Sequence, residues 1–75
     1  MKLHYYRDTD SLYFELRSEP GSETREVADG LNVDLSETGE VVGFDIDRAS
    51  TRIDLTTLET VALPLKTTRA AGGGL

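Results

Sequence analysis

The chain has 75 residues, with 14 acidic against 8 basic side chains and a formal charge of −6, which leaves room for one domain and disfavours a phosphate backbone as partner. Cysteine and tryptophan are absent and hydrophobic residues make up 37% of the chain; disulfides, thiolate metal sites and cysteine nucleophiles are excluded, and the core is thin for a fold without staples. No stretch approaches the roughly 20 apolar residues of a helical membrane span, so the expectation is a soluble cytoplasmic domain with no nucleic-acid and no membrane partner.

Leu3 to Tyr6 is followed by the polar cluster Arg7-Asp8-Thr9-Asp10-Ser11 and then by Leu12 to Leu16, which reads as strand, turn, strand. Alternation puts Leu12, Phe14 and Leu16 on one face and Tyr13 and Glu15 on the other. Glu19-Pro20-Gly21 is a turn signal that ends this hairpin. Thr24 to Val27 and Leu31 to Leu35 form the next pair of strands, and two loop lengths compete between them. A two-residue Asp29-Gly30 turn pairs Ala28 with Leu31 and Glu26 with Val33, putting a carboxylate on the apolar face. A three-residue loop with Gly30 as a left-handed bulge pairs Val27 with Leu31 and is preferred, because it keeps apolar residues together.

Ser36-Glu37-Thr38-Gly39 reads as a four-residue turn into a strand from Glu40 to Asp47. That loop sets Leu35 against Glu40, Val33 against Val42 and Leu31 against Phe44, so Val42, Phe44 and Ile46 join the apolar face. Asn32, Asp34, Val41, Gly43, Asp45 and Asp47 then form a polar, acidic face. Beyond Ala49-Ser50, Asp54 is a cap for a short helix over Leu55 to Thr60, with Leu55, Leu58 and Val61 toward the sheet and Pro64 as the stop. The threonines equally allow a single helical turn followed by an extended stretch.

The fold expected is mainly β (α+β): an antiparallel β-meander of about five strands with one short C-terminal helix, in a single domain over residues 1–66, followed by a flexible Gly-rich tail over 67–75. Five strands span roughly 24 Å at ~4.8 Å each, and one helix about 10 Å across covers less than half of that. The remaining apolar face calls for a second layer, and a second copy of the chain is the economical source. A homo-oligomer, first of all a dimer, is therefore expected.

Tyr5, Asp10-Ser11-Leu12-Tyr13-Phe14-Glu15-Leu16, Thr24-Arg25-Glu26-Val27, Asp29-Gly30-Leu31-Asn32-Val33-Asp34 and Gly39-Glu40-Val41-Val42-Gly43-Phe44-Asp45-Ile46, leading to Ala49-Ser50, form an ordered succession of short motifs. In this succession the chain resembles the bacterial family called Domain of Unknown Function 2283, over roughly its first two thirds. The family's first motif usually carries an Asp after the Tyr; Tyr6 stands there instead, which argues against acid chemistry at this position. What the resemblance implies is a small β-meander with no established activity, and, since some members look like antitoxin-like partners of small toxins, an interaction module.

Three carboxylates, Asp34, Asp45 and Asp47, point to the polar face and are the candidates for a divalent cation held through oxygen; the bland alternative is a solvated face that discourages edge-to-edge aggregation. Asp8-Thr9-Asp10 alternates similarly but lacks the rest of a calcium loop and reads as an Asx turn. His4 has no recognisable nucleophile beside it, since Ser11, Ser36 and Ser50 sit in turn-like contexts. No catalytic residue, no resident metal and no cofactor is assigned. Tyr5, Tyr6 and Tyr13 suggest an aromatic patch at the first hairpin, and Tyr5, Tyr13, Phe14 and Phe44 are the interface candidates. The leading expectation is a non-enzymatic interaction module that oligomerises through its apolar sheet face and meets a basic protein partner. The alternative is a small-ligand or divalent-cation-binding domain using Asp34, Asp45 and Asp47.

Overall fold

The computed structural model describes residues 1–65 and 70; all but Ala70 of the expected 67–75 tail lies outside the described residues. Five strands form one antiparallel sheet: β1 (Lys2–Tyr6), β2 (Ser11–Glu15), β3 (Glu23–Ala28), β4 (Leu31–Leu35) and β5 (Val41–Ile46), followed by the single turn of α1 (Ala49–Arg52). The expected class, a mainly-β antiparallel fold with one short C-terminal helix, is what the chain adopts. In space the order is β1-β2-β5-β4-β3. Successive strands pair everywhere except from β2 to β3, where residues 16–22 carry the chain past β5 and β4 to the far edge. That crossing is about three strand spacings, roughly 14 Å, well within the roughly 23 Å reach of such a segment.

The first hairpin follows the sequence reading, with Leu3 opposite Phe14, His4 opposite Tyr13 and Tyr5 opposite Leu12. At its turn Asp10 takes a left-handed conformation, φ 53°, which Asp tolerates better than most residues. The second turn is a correction. Ala28, not Val27, lies opposite Leu31, and Val27 is the extra residue of a bulge, 58% exposed. From Glu26 outward the pairing is Glu26 with Asn32, Arg25 with Val33 and Glu23 with Leu35, the register the three-residue loop gives. The bulge reconciles the two loop lengths: Gly30 turns the chain at φ 75°, and one added residue restores the pleat.

The β4–β5 register is also corrected. The Ser36 N–H donates to the Glu40 carbonyl at 2.8 Å and Gly39 turns at φ 85°, so the loop has three residues, Glu37 to Gly39, where four were expected. Leu31 faces Ile46, Val33 faces Phe44 and Leu35 faces Val41. A slip of two residues leaves Phe44 and Ile46 on the expected face, but the bulge changes Val41 and Val42. Val41, expected on the polar face, opposes Leu35. Val42 is 2% exposed and its carbonyl accepts both Leu16 N–H and Arg17 N–H, at 2.9 and 3.2 Å. A Cβ on Gly21 would sit 3.2 Å from Asp34 Cβ and 3.8 Å from Val42 Cγ2, so the β2–β3 connection buries Val42 on the Asp34 side.

The helix lies earlier than expected. Asp54 caps no helix; its carboxylate takes the Thr56 N–H at 2.9 Å as an Asx turn, and residues 55–65 are neither helix nor strand. Leu55, Leu58 and Val61, expected to face the sheet, are exposed, the last two at 72% and 79%. Three threonines (Thr56, Thr57, Thr60) and the Asp54 turn compete with helix there. α1 instead follows Arg48, itself left-handed at φ 53°, and ends where Ile53 becomes extended. Leu12, Val42 and Ala49 are the fully buried apolar side chains among the described residues, and the substantial contacts between elements all join paired strands.

Candidate functional site

The pleat sorts the sheet into two faces. One carries Leu3 and Tyr5 from β1, Leu12 and Phe14 from β2, Phe44 and Ile46 from β5, and Leu31, Val33 and Leu35 from β4. Phe14 and Phe44 are directly opposed and their rings stack at 4.5 Å between centroids, 15° between planes. Apart from Leu12, these side chains are half-buried or exposed. Of the four interface candidates, Tyr5, Phe14 and Phe44 share this face. Tyr13 lies on the other one, so Tyr5 does not join Tyr6 and Tyr13 in a single aromatic patch: neighbours on a strand point apart.

The second face is polar and closely wired. Tyr13 crosses above Gly43, and its hydroxyl donates to Asp34 Oδ2 at 2.9 Å. A Cβ at Gly43 would overlap that hydroxyl and lie 2.7 Å from Tyr13 Cζ and 2.9 Å from the Phe14 carbonyl oxygen. Thr24 donates to the other oxygen of Asp34 at 2.6 Å. Burial first, then the bond to Asp34 and its charge, push the Tyr13 phenol up to about 12. His4 Nε2 lies 3.3 Å from Glu15, and its ring stacks on Tyr6 and tilts against Tyr13. Asp45 has one long bond from Asn32, 3.5 Å. Its carboxyl sits above the ordinary range, chiefly through burial, with the charges of Asp47 and Asp34 adding to the rise.

Asp34, Asp45 and Asp47 do share this side, as the alternation required, but they do not converge. Among the described residues no three His, Cys, Asp or Glu side chains come together as a metal site needs, and both oxygens of Asp34 are already bonded within the sheet. Three serine hydroxyls have structural partners: Ser11 donates to the Thr9 carbonyl, Ser36 pairs with the Thr38 hydroxyl and accepts the Glu40 N–H, and Ser50 donates to Asp10.

Asp10 ties the first turn to α1. Its carboxylate accepts the Ser50 N–H at 3.1 Å and the Ser50 hydroxyl at 2.7 Å, its carbonyl accepts the Ala49 N–H at 2.8 Å, and Tyr5 donates to it at 2.7 Å. The Ser50 and Tyr5 bonds hold the Asp10 carboxyl below the ordinary range. The family described as "Protein of unknown function (DUF2283)" matches residues 2–50, from the first strand to this tie. The chain belongs to that family. No curated protein and no solved structure matches it significantly. The motifs that mark this DUF2283 chain have structural work in the sheet: Asp10 and Ser50 dock the helix, Gly30 and Gly39 turn the hairpins, and Gly43 makes room for the Tyr13 to Asp34 bond. Sequence reasoning missed that bond and the Asp10 to Ser50 tie. A glycine inside a strand was the available signal for the first.

Proposed function

We propose that this DUF2283 chain is a non-enzymatic interaction module that self-associates through the apolar face of its sheet. The observation that carries the reading is that face: Phe14, Phe44, Val33, Leu31 and Ile46 lie half-buried on a sheet whose substantial contacts with other elements, among the described residues, all run from strand to strand. An exposed sheet face of this kind is covered in stable domains by a second layer. Two copies packed face to face, with sheets about 10 Å apart, would interdigitate the two sets of side chains into the core that one copy lacks. The charged groups on that side, Glu23 and Arg25, sit on the edge strand and pair with each other, so no isolated charge would be buried. A cysteine-free chain suits such an assembly in a reducing cytoplasm.

Replacing Phe44 by Glu would set a carboxylate in the middle of the interface, and the expected result is a monomer with a lowered melting temperature. Phe44→Leu keeps an apolar side chain and is expected to keep the parent mass. A Phe44→Glu variant that is folded and retains the parent mass would remove this face from the interface.

A further inference from the structure

The polar face has a shallow depression of about 310 Å³, lined by Tyr6, Thr9, Ser11, Tyr13 and Asp45. Its origin is local. Ser11 is small and sits opposite Tyr6, while the Tyr13 ring is drawn the other way, over Gly43 to Asp34. The result is a depression with Thr9 and Ser11 beside two aromatic walls and one carboxylate contributed by β5. Both walls are braced by His4, whose ring centroid lies 6.3 Å from that of Tyr6 and 6.2 Å from that of Tyr13.

Asp45 has no cation of its own among the described residues. Arg17 pairs with Glu19 and Glu40, Arg25 with Glu23, and Arg48 and Arg52 with Asp29. A half-buried carboxylate with one long hydrogen bond is poorly compensated, and the neighbouring Asp47 and Asp34 make its charge less favourable still.

We propose that this depression receives an arginine or lysine side chain from a basic segment of a partner protein, with the cation on Asp45 and the stem between Tyr6 and Tyr13. Aromatic faces and a carboxylate are the two groups that recognise such a side chain, one through its stem and ring quadrupole, the other through its charge. The volume is at the small end for ligand sites, and the depression is open to solvent. Both properties suit one side chain presented by a protein surface better than an enclosed metabolite. The charge of −6 steers a basic partner toward it. The site lies on the opposite face from the proposed self-association surface, so either can fail without the other.

The chain has no tryptophan and Tyr6 and Tyr13 line the site while Tyr5 lies on the other face, so a change in tyrosine emission that Tyr6→Ser diminishes reports on the site. The test is a fluorescence titration of the full chain at low salt with a blocked pentapeptide of alternating arginine and serine, with the glutamate and serine counterpart as control. The expected result is saturable quenching by the arginine peptide alone, weakened by about tenfold in Asp45→Asn. Asp8→Asn, with the same charge change outside the depression, is expected to bind as the parent does. Tyr6→Ser, which removes a wall without changing charge, is expected to weaken binding too. Absence of saturable binding overturns the proposal. So does equal weakening by Asp45→Asn and Asp8→Asn, which would be unspecific attraction to an acidic protein, and so does unchanged affinity in Tyr6→Ser.

Discussion

At Gly43 the sheet has no room for a side chain, because Tyr13 crosses it on the way to Asp34. Gly43→Ala is expected to cost about 1–3 kcal/mol, as overpacking does, and thermal unfolding would register it as a melting temperature lower by several degrees. The same crossing sets a pH dependence. Tyr13 keeps its proton to about 12 when folded, against an ordinary 10.0 when unfolded, so its contribution to stability is complete below pH 10 and fades as pH rises through 12. Ultraviolet titration should show one tyrosine ionising near 12, and Asp34→Asn should bring that step down. Asp45 works in the opposite sense from a stabilising acid. Its folded carboxyl lies above the ordinary 3.8, so its favourable contribution exists when it is protonated and is lost as pH rises through the folded value. Asp45→Asn is therefore expected to raise the melting temperature at neutral pH while weakening cation binding, the trade expected of a residue kept for a site. From the sequence alone, the alternation placed Asp45 on the right face. That Tyr13, opposite it on β2, turns away to Asp34 depends on a diagonal reach over Gly43 to β4, which alternation does not encode.

Among the elements, the strands were legible and their connections less so. Alternating runs such as Leu12-Tyr13-Phe14 and Leu31-Asn32-Val33 locate strands and faces because side-chain period is a local property. The bulge at Val42 escaped the sequence reading and the one expected at Gly30 falls at Val27, since both valines fit the apolar pattern whether or not they are extra residues. The helix was misplaced for a related reason. Its position is set by a contact between turns 40 residues apart, Asp10 to Ser50, and not by periodicity in residues 55–60. Asp10→Ala should free α1 from the sheet, seen as loss of hydrogen-exchange protection at the Ser50 amide and a lowered melting temperature. The Asp10 carboxyl is held below its ordinary 3.8, so this tie is present above that value and is lost as pH falls through the lower, folded one. Acid should release α1 before it opens the strands.

For the whole molecule, the imbalance is between one sheet and almost no interior. Leu12, Val42 and Ala49 are the apolar side chains fully buried among the described residues, little apolar burial to offset the entropy of ordering the backbone. A second copy on the Phe14 and Phe44 face supplies the missing burial and makes melting temperature depend on concentration. The sequence pointed to an uncovered face from strand count and helix length alone, yet it expected Leu58 and Val61 to cover part of it, and they do not. Whether a second copy covers the face is decided by the solution mass from light scattering across a dilution series. The expected result is twice the chain mass or a higher multiple, persisting on dilution until unfolding sets in. A folded monomer at every concentration would contradict it.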